Sequence, residues 1–160
     1  MDYELDNLDR QILEELRADA RVSFQDIARR LVVSGGTVHV RVHKMREAGI
    51  IKGFKVILDT EKMGYDVCAF IGINLHTAGD YPIVLEKLKN LPEIIEIHYT
   101  TGGYSIFIKV LTESTRGLQH FLIDKLQKFD EIQSTETLIS LDRPVEGKIP
   151  LRSSRYPGAL

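Results

Sequence analysis

Residues 23–49 read SFQDIARRLVVSGGTVHVRVHKMREAG, and the way this stretch divides decides the fold of the first third of the chain. Ser23 offers a cap hydroxyl with Asp26 three residues on, an approximate capping box, and Phe24, Ile27, Ala28 and Leu31 then share one helical face. This helix is short, ending near Leu31. After Val32-Val33, Ser34 is a second cap, and Val38, Val42 and Met45 line one side of a further helix that runs to Gly49, a residue suited to the left-handed turn that stops a helix. Upstream, Asp6 precedes Leu8, Ile12, Leu13 and Leu16 at helical spacing, which makes a first helix over residues 6–17. Three helices with a tight turn between the last two are the parts of a helix-turn-helix, whose second helix enters the major groove of double-stranded DNA.

The charges point the same way. The net charge of -2 over 160 residues hides a window, residues 21–55, with eight basic and two acidic side chains, the footprint expected of a small nucleic-acid-binding module. On a wheel of about 100° per residue, the face opposite Val38, Val42 and Met45 carries Gly36, Thr37, Val40, His43 and Lys44, with Ser34 at the start of the helix. Free N–H groups there suit a phosphate. Arg41 and Arg46 stand on the flanks, placed to meet phosphates and set register. The candidate DNA-binding set is therefore Ser34, Gly36, Thr37, Val40, Arg41, His43 and Lys44; a three-helix protein-interaction domain with a solvated basic face is the alternative. His39 and His43 have the four-residue spacing of a metal pair but lack further ligands nearby, so no metal site and no cofactor are expected.

Residues 50–58 read as a strand, and Asp59-Thr60-Glu61-Lys62-Met63-Gly64 breaks the pattern as a linker over 59–66. Beyond it the period changes from 3.6 to 2. Val67, Ala69, Ile71, Ile73 and Leu75 alternate as a strand, and Val84, Leu88 and Leu91 mark a helix from Asp80. Ile95, Ile97 and Tyr99 alternate again before a Gly102-Gly103 hairpin turn. Tyr104, Ile106, Ile108 and Val110 form the return strand. A helix on Leu118, Phe121, Leu122 and Lys125 precedes a last strand over residues 132–141. The order βαββαβ is the ferredoxin-like plan, so the fold class is α+β: a helix-turn-helix over 1–58 and a ferredoxin-like domain over 67–143. With both helices on one side, the other sheet face shows Phe70, Ile95, Ile97 or Phe107, depending on register, and such a face pairs with a second subunit. Residues 144–160 hold three of the five prolines and read as a mobile tail, or one ordered only against a partner chain.

Composition excludes other classes. With 43% hydrophobic and 28% charged residues the chain is of ordinary globular type, and no apolar run approaches the roughly 18 residues of a membrane span. A single cysteine, Cys68, rules out a disulfide framework within the chain. The acidic start Met1-Asp2-Tyr3-Glu4 lacks the apolar stretch of a secretory signal, so a cytoplasmic setting is expected. No paired acids or nucleophile–base spacing stands out, and no catalytic residue is expected. The second half has two unusually polar places, Thr100 to Ser105 and Gln133 to Thr137. Two glycines let backbone N–H groups approach a carboxylate, Glu136 suits an ammonium, and Gln133, Thr135 and Thr137 suit an amide. A plain hairpin turn beside a solvated edge strand is the other reading of the same residues.

The chain resembles the Lrp/AsnC, or feast/famine, family of transcription regulators, and within it the asparagine-responsive branch. Leu8-Asp9-Arg10-Gln11-Ile12-Leu13, Val33 to Val38, Arg41-Val42, Gly49-Ile50-Ile51 and Gly102-Gly103-Tyr104 carry the resemblance, extended by Gly64 to Val67, Phe70 to Ile73, Tyr99 to Val110 and Asp130 to Ile139. It implies a winged helix-turn-helix, homodimers that assemble into an octamer, and a small amino acid such as L-asparagine bound between dimers. Carried onto this chain, the ligand-binding positions are Tyr99, Gly102, Gly103 and Tyr104 with Gln133, Ser134, Thr135, Glu136 and Thr137. Gly35 departs from the pattern, since the family commonly has proline there. A ligand-blind architectural DNA-binding protein and a sirohaem-decarboxylase-like enzyme are the competing functions, the latter because some proteins resembling this family have that activity.

Overall fold

The structure, a computed structural model, describes residues 3–145, 147, 150 and 151. By its internal contacts the chain divides into two units, one of residues 3–57 with the described residues after 146, the other of residues 58–145.

The first unit is three helices, α1 (Asn7–Ala18), α2 (Phe24–Leu31) and α3 (Gly35–Glu47). Each starts at the cap its sequence offers. Asp6 accepts from the Asp9 N–H while the Asp9 side chain accepts from the Asp6 N–H, a complete capping box; Ser23 and Ser34 accept from Asp26 and Thr37. Ile12, Leu16, Ile27, Val38, Val42 and Met45 bury the shared core. The turn from α2 to α3 runs through Val32 at φ 57° and ψ 46°, a left-handed conformation that crowds a β-branched side chain. Gly49, at φ 70°, ends α3 as its position suggests.

The strand expected over residues 50–58 is not formed. Phe54, Val56, Ile57 and Leu58 stand exposed, and among the described residues of the first unit no strand lies alongside to take up the backbone hydrogen bonds that a strand would need. The wing implied by the resemblance accordingly has no strand in the described first unit. Asp59 instead opens a turn that closes at Gly64, φ 87°. Of residues 144–160, expected to be mobile, 146, 148–149 and 152–160 lie outside the described residues. Leu151 packs half-buried against the core of the first unit.

The second unit follows the βαββαβ order: β1 (Val67–Leu75), α4 (Tyr81–Lys89), β2 (Ile94–Tyr99), β3 (Ile106–Thr112), α5 (Thr115–His120) and β4 (Ile132–Ser140). After α5 the chain continues through a π-helical turn, Phe121–Lys125, and a 3-10 turn, Leu126–Lys128. The sheet is antiparallel in the order β2-β3-β1-β4, with β1 and β3 at its centre. Ala69, Ile71 and Ile73 of β1 and Ile106, Ile108 and Val110 of β3 are fully buried, most of them in one cluster with Val84 and Leu88 of α4, Phe121 and Leu126. The alternate residues Phe70, Gly72 and Asn74 point to the open face. There Phe70 and Phe107 stack with ring centroids 6.0 Å apart, whereas Ile97, opposite Ile108, belongs to the core side and Ile95 sits in a register shift. Cys68 is a free thiol.

Val32 is 90% exposed, so glycine there gives up little packing and removes the steric crowding. Val32→Gly should raise the stability of the first unit by about 1 kcal/mol, read as a higher unfolding temperature. A lower one would mean that the left-handed turn carries no strain.

Candidate DNA-reading and effector sites

The candidate DNA-binding residues of α3 lie on or beside its exposed face. Ser34 caps the helix, its hydroxyl 3.0 Å from the Thr37 N–H and 2.8 Å from the Thr37 hydroxyl. Gly36, Thr37, Val40 and Lys44 line one hollow together with Tyr3, Glu4, Asp6, Asp9 and Arg41. Val40 is half exposed, and Lys44 has no ion pair among the described residues. His43 lies 3.2 Å from Glu47 one turn on, and His39 sets its ring against Phe24. Among the described residues no group of three or more His, Cys, Asp and Glu stands close enough to hold a metal ion.

Arg41 does something that its flank position alone does not announce. Its Nη1 reaches both Asp6 and Asp9, and Asp9 is 1% exposed, with the Tyr3 hydroxyl donating to it at 3.1 Å. The guanidinium ties α3 to the start of α1. A buried carboxylate needs such a partner, because an unpaired charge inside a protein is strongly disfavoured. Asp6, Asp9 and Tyr3 were not among the sequence candidates, although the Asp6-x-x-Asp9 spacing shows the capping box. Other cations of the basic window are also engaged: Arg29 with Asp26 and Arg30 with Glu15. The other cations of the window, Arg21, Lys44, Arg46, Lys52 and Lys55, have no ion pair among the described residues.

In the second unit the two polar places meet. The Thr100 N–H donates to the Ser105 carbonyl and the Thr100 hydroxyl to the Tyr104 carbonyl, closing the loop that holds Gly102 at φ 121° and Gly103. From this loop the Tyr104 hydroxyl donates to the Glu136 carboxylate across the open face. That bond raises the Tyr104 phenol above its ordinary range, since ionisation would set a phenolate against a carboxylate. Asn74 stands opposite Ser134, its amide 3.3 Å from the hydroxyl.

The pleat sorts the remaining candidates. Thr135 and Thr137 stand opposite Ile73 and Ile71, so they point to the helix-covered side, away from Ser134 and Glu136. Gln133 sits exposed at the register shift beside Leu75. Tyr99 stands opposite Ile106 and lays its ring on Tyr81 of α4, with centroids 4.3 Å apart. The open face thus unites Tyr104, Ser134 and Glu136, while Tyr99, Thr135 and Thr137 turn to the other side.

With this geometry in hand, the comparisons with known proteins agree on one family. The AsnC-type helix-turn-helix domain matches residues 5–46 and the Lrp/AsnC ligand binding domain matches residues 68–150. Over 143 residues the chain is 54% identical to the regulatory protein AsnC of Escherichia coli K12, covering 89% of this chain and 94% of that one. The Haemophilus influenzae protein of the same name is 53% identical, covering 89% and 95%. The structure of E. coli AsnC superposes with a TM-score of 0.89 at 53% identity over 92% of this chain and 99% of that one. A transcriptional regulator of Neisseria meningitidis solved with L-methionine gives 0.87 at 20% identity over 92% and 97%, a likeness of fold alone. The chain belongs to the Lrp/AsnC family, whose members join a DNA-binding helix-turn-helix to an amino-acid-binding regulatory domain. Among the described residues no helix is long and apolar enough to cross a membrane.

The Asp9 N–H, and after it Arg41, hold the Asp6 carboxyl below its ordinary range. A carboxyl depressed in this way stabilises the folded state above its unfolded value near about 3.9, and that contribution fades as pH falls through the lower folded value. Asparagine caps a helix as well as aspartate does but carries no charge. Asp6→Asn should therefore flatten the fall in unfolding temperature below about pH 4. An acid limb as steep as the parent's would remove Asp6 from that role.

Proposed function

We propose that the chain is an asparagine-responsive, non-catalytic regulator that grips DNA as a homodimer through the exposed face of α3 and assembles further, to an octamer, with effector bound between dimers. The observation that carries the effector half is the Tyr104–Glu136 bond, which joins the glycine turn to the last strand on one side of the sheet. An amino acid brings a carboxylate and an ammonium. The N–H groups of the Gly102-Gly103 turn suit the first and Glu136 the second. An amide side chain then finds Ser134 and Asn74 beside Glu136 and Gln133 at the register shift, donors and acceptors that an apolar side chain would leave unpaired at about 1 to 3 kcal/mol for each buried group. Asparagine is favoured over leucine for that reason. A site between dimers couples to assembly, because ligand shifts an equilibrium only by its differential affinity for the two states.

For DNA, Ser34, Gly36, Thr37, Val40 and His43 form the reading face and Lys44 a phosphate contact, while Arg41 holds the helix in place. Two copies of α3 related by a two-fold axis fit a palindromic site.

Two measurements test the halves separately. Fluorescence anisotropy across salt concentrations should show Lys44→Ala binding DNA more weakly with a salt slope reduced by about 1; an unchanged slope places the phosphate contacts elsewhere. For the effector, Gly103 is a better probe than Gly102, because nothing lies within 4 Å of an added Cβ and its φ is outside the left-handed region. Calorimetric titration with asparagine should find Gly103→Val and Glu136→Gln each at least about tenfold weaker than the parent, the loss expected when a hydrogen bond to a charged group goes. Parent-like affinity in both would put the site elsewhere, and parent binding to leucine in preference to asparagine would overturn the choice of effector.

A further inference from the structure

Gly72 lies in the middle of β1, a central strand with neighbours on both sides, and no turn requires a glycine there. A glycine inside a strand weakens it unless something approaches closely. Here something does. A Cβ built on Gly72 would lie 2.6 Å from Cγ and Cδ1 of Tyr104 and 2.7 Å from Cδ2, far inside van der Waals contact. The Tyr104 ring rests flat against the bare backbone of residue 72. The register explains why it lies there: Gly72 stands opposite Phe107 on β3 and opposite Glu136 on β4. A ring leaving the turn ahead of β3 must cross position 72 for its hydroxyl to reach Glu136. Phe107, its centroid 6.1 Å from that of Tyr104, limits the ring on the β3 side.

We infer that Gly72 is a positioning residue for the amino-acid site: its missing side chain is the slot through which Tyr104 reaches and orients the Glu136 carboxylate. The inference rests on the reading of Glu136 as the ammonium partner. Any side chain at position 72 lifts the ring off the sheet and parts the hydroxyl from Glu136. The carboxylate then keeps its charge but loses its fixed direction, and an ammonium gains less from it. The small side chain at 72 and the ring at 104 thus act as one element of ligand specificity, although residue 72 touches no ligand.

The test uses the full-length chain with three variants, Gly72→Ala, Tyr104→Phe and their double. Titration of the tyrosine ring carbons by NMR reports the bond without any ligand. In the parent, Tyr104 ionises above the ordinary tyrosine range; in Gly72→Ala it should return toward that range, while circular dichroism and effector-free DNA affinity stay at parent values. In calorimetry, Gly72→Ala and Tyr104→Phe should weaken asparagine binding to similar degrees, about tenfold or more, and the double variant should be no weaker than either, because both remove the same bond. An unshifted Tyr104 titration in Gly72→Ala overturns the inference, as does full additivity in the double variant. Glu136→Gln separates the two readings. If it abolishes binding while Gly72→Ala leaves it intact, the site stands and the role of Gly72 falls; if Glu136→Gln binds like the parent, the effector reading itself falls, and the ring titration still decides whether Gly72 places Tyr104.

Discussion

A strand sends successive side chains to opposite faces, and this constraint bears hard on β1, which like β3 has a neighbour on each side and helices over one face. Ala69, Ile71 and Ile73 must fill the helix-covered core, so Phe70, Gly72 and Asn74 are committed to the other face. Because β3 and β4 are registered on β1, their residues inherit the same division. Glu136 reaches the open face for no reason of its own; it stands opposite Gly72. A register shift of one residue would carry Glu136 under the helices and Thr135 and Thr137 into the open, exchanging the chemistry of the two faces.

The first unit depends on a different economy. Its core is small, and α3 packs on the other two helices while keeping one face exposed. An ion pair does what additional apolar contact would do in a larger domain. Asp9 is buried, and the arginine that answers it comes from the helix that has to be oriented. The same carboxylate closes the capping box of α1. One side chain thus begins a helix and aims another.

Most of this architecture was legible in the sequence, and the exceptions have physical reasons. Periodicity located every helix and each strand of the sheet, because both units bury one face per element and that burial imprints a period. The segment over residues 50–58 has the composition of a strand, yet composition reports a taste for extended backbone and says nothing of whether a partner strand is within reach. Gln133 to Thr137 looked like one polar group in line, whereas the pleat divides Ser134 and Glu136 from Thr135 and Thr137. Arg41 looked like a phosphate contact because its acids, Asp6 and Asp9, lie more than thirty residues away. Gly72 carries no polar atom to attract notice; its meaning lies in a ring that arrives from Tyr104. For Arg41 and Gly72, what the sequence did not display is a contact between residues distant along the chain.

Leu151 adds a matter of timing. The first unit gathers Leu151 to its core from beyond the whole of the second unit. A chain made from its N-terminus exposes its segments in order, and domains begin to fold as they emerge. The three helices are therefore free to collapse early, but Leu151 can join their core only after the entire sheet has been synthesised. The helix-turn-helix unit is the first to begin, and its contact with Leu151 is among the last to form.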